Sequence, residues 1–393
     1  MTTGGSTELV RRPDGSARAT LLELLFDVVF VAALALVSML VAERESWTGG
    51  AQILLTLMAI WWTWSITATT TDFYDPDQRP LQAILMVTML GSVATAAALP
   101  LASDGHALIF AVAYVIPHLV RGVILVSVLR QHRHRLAEQR AARFLFWFLV
   151  SGGFWIAGAL LPDRLQWPLW ITAVVIDYLS AAARYPTPGL GRVPVGQYSQ
   201  TSDHLGERYQ QFMILALGDI ILVPTLEISS SGFAAARLAA FLIAFITMLL
   251  LWQIYVFGAN AFLHTSSARL LGRATRLGPY THLVMVVGIV CTAAGFDLVI
   301  IRPTGDTPVR WLVLLFGGPA VFLIGRTLFT YLITGVLAWH RTAWLLLAAL
   351  MPWAGGWPPV LVAVAAVLVL AGIAVGDVVM SRSMPPVLRG RPG

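Results

Sequence analysis

Seven ionisable side chains lie inside long apolar stretches of the chain, where their residue types alone point to chemistry. A charge at the centre of a bilayer costs at least about 2.5 to 3.5 kcal/mol on insertion scales, so such a group is a candidate functional residue. Two of the acids, Glu23 and Asp27, are four residues apart and share one face of a helix. Carboxylates this close resist ionising together, which suits proton exchange or cation coordination. The full set is Glu23, Asp27, Arg121, Asp177, Asp219, Asp297 and Arg326.

The same acids also have a purely structural interpretation. Glu23 and Asp27 would pair with Arg121 and hold the first and fourth helices together. Asp219, in the seventh helix, would pair with Arg326 in the same way. The residues alone leave the functional and the structural interpretation open.

Three polar residues, His204, Glu207 and Arg208, stand at the start of the seventh helix. His204 and Arg208 share a helix face, and Glu207 favours the positive end of the helix. We interpret them as interfacial caps or linker anchors and keep them among the transport candidates. The segment lacks a second His at metal-ligand spacing, so no metal site is predicted.

Two further groups of residues have structural interpretations. Asp72, with Asp75 and Asp77, follows the second helix and predicts a solvated turn. The three Trp residues between Trp61 and Trp64 predict core packing. The sequence contains no Gly-rich phosphate loop, Ser-His-Asp arrangement or zinc protease motif, so neither an enzyme nor a cofactor is predicted.

The composition is that of a chain dissolved in lipid. Hydrophobic residues make up 58% of the sequence and charged residues 12%, and the mean hydropathy is +0.76. Several apolar runs reach the roughly 20 residues that a bilayer crossing needs, and the single cysteine excludes an intrachain disulfide. The sequence thus predicts an all-α polytopic membrane protein with about twelve transmembrane helices, over residues 21–42, 51–71, 81–101, 107–129, 143–161, 167–184, 208–227, 235–258, 279–301, 309–334, 341–353 and 358–378.

The distribution of Arg predicts the orientation. With twelve crossings, 19 of the 26 basic residues fall on the side of the two termini, five fall on the other side, and Arg121 and Arg326 lie within helices. The positive-inside rule then puts both termini in the cytoplasm. The Arg-rich stretch from Arg130 to Arg143 is an ordinary cytoplasmic loop in this arrangement. Because it lacks interleaved aromatic residues, no nucleic-acid partner is predicted.

The second half of the sequence repeats features of the first at an offset of about 190 to 205 residues. Asp27 corresponds to Asp219, and Arg121 corresponds to Arg326. Six helices per half predict two parallel repeats related by an axis along the membrane normal. The predicted divisions are an N-terminal cytoplasmic tail, a first repeat, a cytoplasmic linker, a second repeat and a C-terminal cytoplasmic tail, over residues 1–20, 21–184, 185–207, 208–378 and 379–393.

Two motifs resemble those of a bacterial membrane protein family. The first helix contains Glu-Leu-Leu-Phe-Asp-Val-Val-Phe-Val over residues 23–31, and the seventh contains His-Leu-Gly-Glu-Arg-Tyr over residues 204–209, followed by Leu217-Gly218-Asp219. Together they are similar to the low-temperature-requirement protein A family. The family usually has Glu where this chain has Asp219. The resemblance implies a polytopic inner-membrane protein and supplies no substrate.

These observations lead to two principal hypotheses, beside a third, an embedded enzyme that acts on lipid. The first is a transporter or ion permease whose buried acids carry a proton or cation, with the lipid bilayer as its surroundings and a proton, cation or small molecule as its cargo. The second is a non-transporting membrane protein for envelope function or assembly, in which acid–Arg pairs are structural.

Overall fold

The structure is a computed structural model that describes residues 9–11, 18–44, 46–99, 106–198, 203–256, 268–335, 341 and 351–383. Helices make up 85% of this part of the chain, and it contains no strand. The predicted all-helical class is therefore confirmed.

The helices of the described residues are labelled in chain order. The α-helices α1 to α12 are Leu21–Glu43, Trp47–Phe73, Arg79–Ala98, Ala107–Gln131, Arg135–Leu160, Asp163–Ala182, Asp203–Leu217, Asp219–Ser231, Ala235–Val256, Ala268–Ile301, Val309–Thr334 and Pro359–Ser383. Two 3₁₀ helices, Val195–Gln197 and Met351–Gly356, complete the set.

Ten helical segments of the described chain are long and apolar enough to cross a membrane. α7 and α8 form one of them, His204–Ser231, which is interrupted by a turn at Gly218. α6 is the one further α-helix and does not meet the same criteria. Most of the predicted helix 341–353 and the end of the predicted C-terminal tail, from residue 384 on, lie outside the described residues.

Two helices begin well before their apolar segments. α5 starts at Arg135, although the predicted span began at 143, and α10 starts at Ala268, although the predicted span began at 279. Both extensions are rich in Arg, Leu and Ala, which are strong helix formers in water as well as in lipid. Hydropathy identifies only the apolar part of a helix, so it underestimates the length of helices with such polar extensions.

The chain forms two compact units. Unit 1 comprises Met1–Ala33 and Leu54–Gln211, and unit 2 comprises Leu34–Ile53 and Phe212–Gly393. In unit 1, α3 packs on α4, α4 on α5, and α5 on α6. The α4–α6 region has an aromatic core in which the rings of Phe110 and Trp170 stack with centroids 4.9 Å apart.

α2 is the most enclosed of the candidate spans, with 83% of its apolar window buried. It is also rich in hydroxyl side chains. Thr63, Thr67 and Thr70 each donate a hydrogen bond to the carbonyl four residues earlier. These bonds satisfy the hydroxyl groups without water, so a polar helix can be buried at modest cost.

Unit 2 is held together most extensively by α10 and α11, which pack closely because glycines stand at their interface. A Cβ atom on Gly318 would lie 2.5 Å from Thr292 Oγ1 and 2.7 Å from Thr292 N. At the neighbouring Gly317, a Cβ atom would lie 3.7 Å from Val313 Cγ1, which is ordinary contact. The two adjacent glycines therefore differ sharply in the space around them.

We expect Gly318→Ala to destabilise the protein by about 1 to 3 kcal/mol, because the backbone of α10 cannot yield to the added methyl group. Gly317→Ala is the matched control and should be neutral or stabilising by up to about 1 kcal/mol, since Ala is the better helix former. Thermal unfolding of both variants in detergent measures the difference. Equal stability of the two variants would contradict the close packing of α10 on α11.

Candidate functional site

The start of α1 fixes the position of its two acids. Thr20 caps the helix, and its backbone N donates a hydrogen bond of 2.9 Å to Glu23 Oε2. The backbone N of Glu23 donates in return to Thr20 Oγ1 at 3.3 Å. This reciprocal arrangement is a capping box, for which Thr at the cap and Glu three residues later are the signature. One oxygen of Glu23 is thereby committed to the helix end.

Asp27, one turn further along α1, is fully buried and ion-paired. Arg208 Nη2, from α7, donates a hydrogen bond of 2.6 Å to Asp27 Oδ1. Trp64 Nε1, from α2, donates a second bond of 2.8 Å to the same oxygen. Both side chains of the ion pair are 0% exposed. Three helices of unit 1 thus meet at one carboxylate.

His204 lies between two further carboxylates. Its Nε2 is 3.4 Å from Glu23 Oε1, and its Nδ1 is 3.4 Å from Asp72 Oδ1. Arg208, one turn along the same helix, places Nη1 3.8 Å from Glu23 Oε1. We call the group formed by these side chains the Asp27 cluster: Glu23, Asp27, Asp72, His204 and Arg208.

The walls around the Asp27 cluster are aromatic and hydroxylic. The rings of Trp61 and Trp64 stack with centroids 5.0 Å apart, and Tyr209 packs edge-on against Trp64 at 5.2 Å. The hydroxyl groups of Tyr209 and Ser65 are 3.2 Å apart. The Trp residues pack in the core as the sequence predicts, and Trp64 also hydrogen-bonds the central acid.

One proton decides the charge balance of the Asp27 cluster. The cluster contains three carboxyl groups and one guanidinium, and Arg11 is close enough to act electrostatically on His204. With the carboxyl groups ionised and both guanidinium groups counted, the charges cancel only when His204 is protonated. The doubly protonated ring is also the form that presents an N–H to both neighbouring carboxylates.

Several buried polar atoms of the Asp27 cluster have no hydrogen-bonding partner in the described protein. Carboxylate oxygens of three acids and two nitrogens of the guanidinium are among them. Such atoms are rare in folded proteins because each costs about 1 to 3 kcal/mol when it is left unpaired. The set is Asp27 Oδ2, Asp72 Oδ2 and Arg208 Nε, together with Glu23 Oε1, His204 Nδ1 and Arg208 Nη1, which make only the longer ionic contacts of 3.4 to 3.8 Å.

The predicted pairing of Asp27 with Arg121 is wrong. Arg121 Nη2 donates a hydrogen bond of 2.6 Å to the Nδ1 atom of His118, in the same helix, and its Nη1 donates to Thr67 Oγ1 at 3.1 Å. His118 Nε2 then lies 3.2 Å from Thr63 Oγ1. Because Nδ1 accepts from the guanidinium, His118 is neutral here and holds its proton on Nε2.

The predicted pairing of Asp219 with Arg326 is also wrong. Ser38 Oγ donates to Asp219 Oδ2. Arg326 Nε donates to the carbonyl oxygen of Tyr255 at 3.1 Å, and its Nη1 donates to Thr330 at 2.7 Å. The guanidinium thus binds neutral oxygen atoms of unit 2 instead of the acid.

The remaining predicted residues have separate surroundings. Asp177 accepts a hydrogen bond of 2.8 Å from the hydroxyl of Tyr114, within unit 1. Glu207 accepts one of 2.8 Å from Gln211 Nε2, one turn along α7. Asp297 lies in unit 2 and lines a cavity there. These three acids do not belong to the Asp27 cluster as defined above.

Asp72 is a member of the cluster that the sequence misassigned to a solvated turn. α2 continues to Phe73, and Asp72 is 5% exposed in its last turn. The motif Thr20-Leu-Leu-Glu23, which is a capping box, is a second signal that was present in the sequence and was missed. In the described part of the chain, no group of three or more His, Cys, Asp or Glu side chains has a geometry that could hold a metal ion.

Comparison with known proteins identifies the family. The profile of the bacterial low temperature requirement A protein, LtrA, matches residues 18–375. The chain belongs to the LtrA family. The uncharacterized protein RA0937 of Rhizobium meliloti (strain 1021) is 31% identical over 311 residues, which cover 78% of this chain and 76% of that protein. No solved structure gives a significant match.

The Asp27 cluster joins the two motifs that resemble those of the LtrA family. The motif over residues 23–31 supplies Glu23 and Asp27, and the motif over residues 204–209 supplies His204 and Arg208. The ion pair therefore links residues that are far apart in the sequence and that carry the family resemblance.

A double-mutant cycle in detergent tests the ion pair. Asp27→Asn and Arg208→Gln should each destabilise the protein by about 3 to 5 kcal/mol, because each leaves a buried charge without its partner. Together they should be less harmful than the sum, with a coupling of about 1 to 3 kcal/mol.

The matched control pairs Asp27→Asn with Arg121→Gln. These two changes should add to within about 0.5 kcal/mol, because Arg121 belongs to a different hydrogen-bonded group. Coupling of Asp27 to Arg121 instead of Arg208 would show that the ion pair is assigned to the wrong arginine.

Proposed function

We propose that this LtrA protein is a transporter or ion permease of the bacterial inner membrane that couples movement of its cargo to a proton or cation through the Asp27 cluster. The observation that carries the proposal is that the buried His204 lies 3.4 Å from each of two carboxyl groups, Glu23 and Asp72, beside the Asp27–Arg208 ion pair. The net charge of such a site changes by one when a single proton binds or leaves.

His204 is the proton-accepting group in this mechanism. Loss of its proton removes one of the two N–H groups that face Glu23 and Asp72 and leaves excess negative charge in the cluster. In a low-dielectric interior such an imbalance is costly. It is relieved by binding a cation or by reprotonation, and either event couples the cluster to ion movement.

Arg208 provides the link from protonation to conformation. Its guanidinium contacts Asp27 at 2.6 Å and Glu23 at 3.8 Å from two different nitrogen atoms. A change in the charge of Glu23 therefore changes the attraction that ties α7 to α1. Because the ion pair is fully buried, little water screens this effect.

The unpaired polar atoms support access of water or a polar solute. They include both acceptors, such as Asp27 Oδ2, and donors, such as Arg208 Nε. Water satisfies both kinds and is the usual partner of buried polar atoms that lack one in the protein. A hydrated cluster is what proton or cation transfer requires.

The proposed arrangement in the membrane has twelve crossings in two parallel six-helix repeats, with both termini cytoplasmic. Ten candidate spans, α6 and the segment 341–353 make up the twelve. The Arg distribution favours this orientation, and the correspondence of Asp27 with Asp219 favours the duplication. The predicted divisions 1–20, 21–184, 185–207, 208–378 and 379–393 belong to the same proposal.

The single cysteine makes the orientation testable. In a Cys291→Ala background, new cysteines replace Arg133, between α4 and α5, and Asp306, between α10 and α11. Labelling of intact cells with a membrane-impermeant maleimide should modify the second and spare the first. Lysed cells, in which both should react, are the control. The opposite labelling pattern would reverse the orientation.

Proteoliposomes test the proposed transport. An imposed pH gradient, with Na⁺ or K⁺ on either side, should dissipate faster with the wild-type protein than in empty vesicles, as measured by an enclosed pH-sensitive dye. Glu23→Gln should lower the rate at least about tenfold, because Gln preserves the capping box and removes the charge. His204→Gln and Asp27→Asn should have similar effects.

Glu138→Gln is the matched control, since Glu138 pairs with the exposed Arg130 and lies outside the cluster. Wild-type protein that folds, incorporates and moves no ion would overturn the proposal. The competing structural hypothesis predicts that Glu23→Gln keeps every membrane phenotype while Glu23→Ala, which also breaks the cap, loses it.

A further inference from the structure

Unit 2 contains a cavity of about 320 Å³ with acidic walls. Three helices, namely α1, α8 and α10, supply its lining. Glu43, Glu227 and Asp297 supply one carboxyl group from each of these helices. Asp297 is half-buried and interacts electrostatically with both Glu43 and Glu227.

A buried acid lies one helical turn before the residues that line this cavity. Asp219 is four residues before Val223 in α8, and Ser38 is four residues before Ala42 in α1. Val223 and Ala42 both line the cavity, and residues four apart share a helix face. Ser38 and Asp219 are joined by a hydrogen bond. The pair therefore continues the cavity wall inward on two helices.

Asp219 is unlike the acids of the Asp27 cluster because no basic side chain among the described residues forms an ion pair with it. It is 0% exposed, its Oδ2 accepts a hydrogen bond from Ser38, and its Oδ1 has no hydrogen-bonding partner. Asp297, in the cavity wall, is the carboxyl group that acts on it electrostatically. An isolated carboxylate in such surroundings costs several kcal/mol, and uptake of a proton removes that cost.

We propose that Asp219 is a proton-binding carboxyl group that exchanges its proton with solvent through the acidic cavity, by way of Asp297. The proposal deepens the proposed function and rests on it for the direction in which the proton moves. It assigns unit 2 a proton site with its own access route, separate from the Asp27 cluster of unit 1.

A proton fits this site better than a metal cation. Alkali and alkaline-earth cations are held by several oxygen atoms at once. Asp219 and Ser38 offer few, and no metal-binding group of three acids, His or Cys occurs among the described residues. A proton needs one carboxyl oxygen. The negative charge of the cavity wall raises the local proton concentration, and Asp297 transfers the proton to Asp219.

Two basic residues near the cavity bind backbone carbonyl groups. Arg237, on α9, donates hydrogen bonds to the carbonyl oxygens of Ser231 and Ile300. Arg310, on α11, donates to the carbonyl oxygens of Val41 and Ala42. Both guanidinium groups thus bind backbone atoms at helix ends. The charged residues among the described residues that line the cavity are all acidic.

Infrared difference spectroscopy of the reconstituted full chain tests the site. Spectra between acid and alkaline pH should contain the absorption of a protonated carboxyl group that Asp219→Asn abolishes. Asp306→Asn, which removes an exposed carboxyl group from unit 2, is the matched control and should retain the band. An Asp219→Asn spectrum identical to that of the wild type would overturn the proposal.

Labelling of the wild-type protein decides the question if Asp219→Asn does not fold. A hydrophobic carbodiimide reacts with protonated carboxyl groups, and peptide mass spectrometry should find Asp219 modified at least about tenfold more than Asp306 at mildly acidic pH. Equal modification would overturn the proposal.

The access route has its own test. Leu226 lines the cavity and is 54% exposed, so Leu226→Trp fills space with little effect on the core. It should slow proton uptake at Asp219 after a pH jump at least about fivefold. Unchanged kinetics would exclude the cavity as the route.

The proton site and the proposed transport can fail separately. If Asp219 takes up a proton but the protein moves no ion, the proposed transport is overturned and the proton site stands. If ions move normally but Asp219 takes up no proton, the proton site is overturned and the proposed transport stands.

Discussion

The cost of placing charge in lipid is the constraint on which the rest of this structure depends. A bilayer offers no water to a carboxylate or a guanidinium, so a charged group needs a partner inside the protein, and a carboxyl group without one is favoured in its protonated form. Asp27 does so with Arg208 and Trp64, and this single interaction requires that α1, α2 and α7 converge. The capping box at Thr20 fixes the start of α1 beside this pair, and the enclosed α2 supplies Trp64 to it.

Hydropathy predicted most of the fold because lipid selects for apolar length. It placed most helices to within a few residues and underestimated α5 and α10, whose Arg-rich ends continue in helical form beyond the apolar segment. The sequence also identified nearly every member of the Asp27 cluster. It misplaced Asp72, because an aspartate after an apolar run looks the same whether the helix stops there or continues for one more turn.

The choice of partners was beyond the reach of the sequence. Correspondence between the halves suggested Arg121 for Asp27 and Arg326 for Asp219, and both pairings are wrong. Arg121 binds the neutral His118, and Arg326 binds a backbone carbonyl. Which side chains meet depends on the rotation of each helix about its axis, and a difference of one residue turns a side chain by about 100°. Spacing within one helix carries no information on the rotation of its neighbour.

The hydroxyl-rich α2 has a consequence for how the chain is made. Its most apolar window has a mean hydropathy of 1.3, below that of the other nine candidate spans, and 83% of that window is enclosed by protein. Such a helix gains little from lipid alone and becomes stable only once other helices surround it. α1, with a mean hydropathy of 2.7, inserts without help. We therefore expect α2, the second candidate span in the sequence, to become stable in the membrane only after α4 and α7, which contact it, have been inserted.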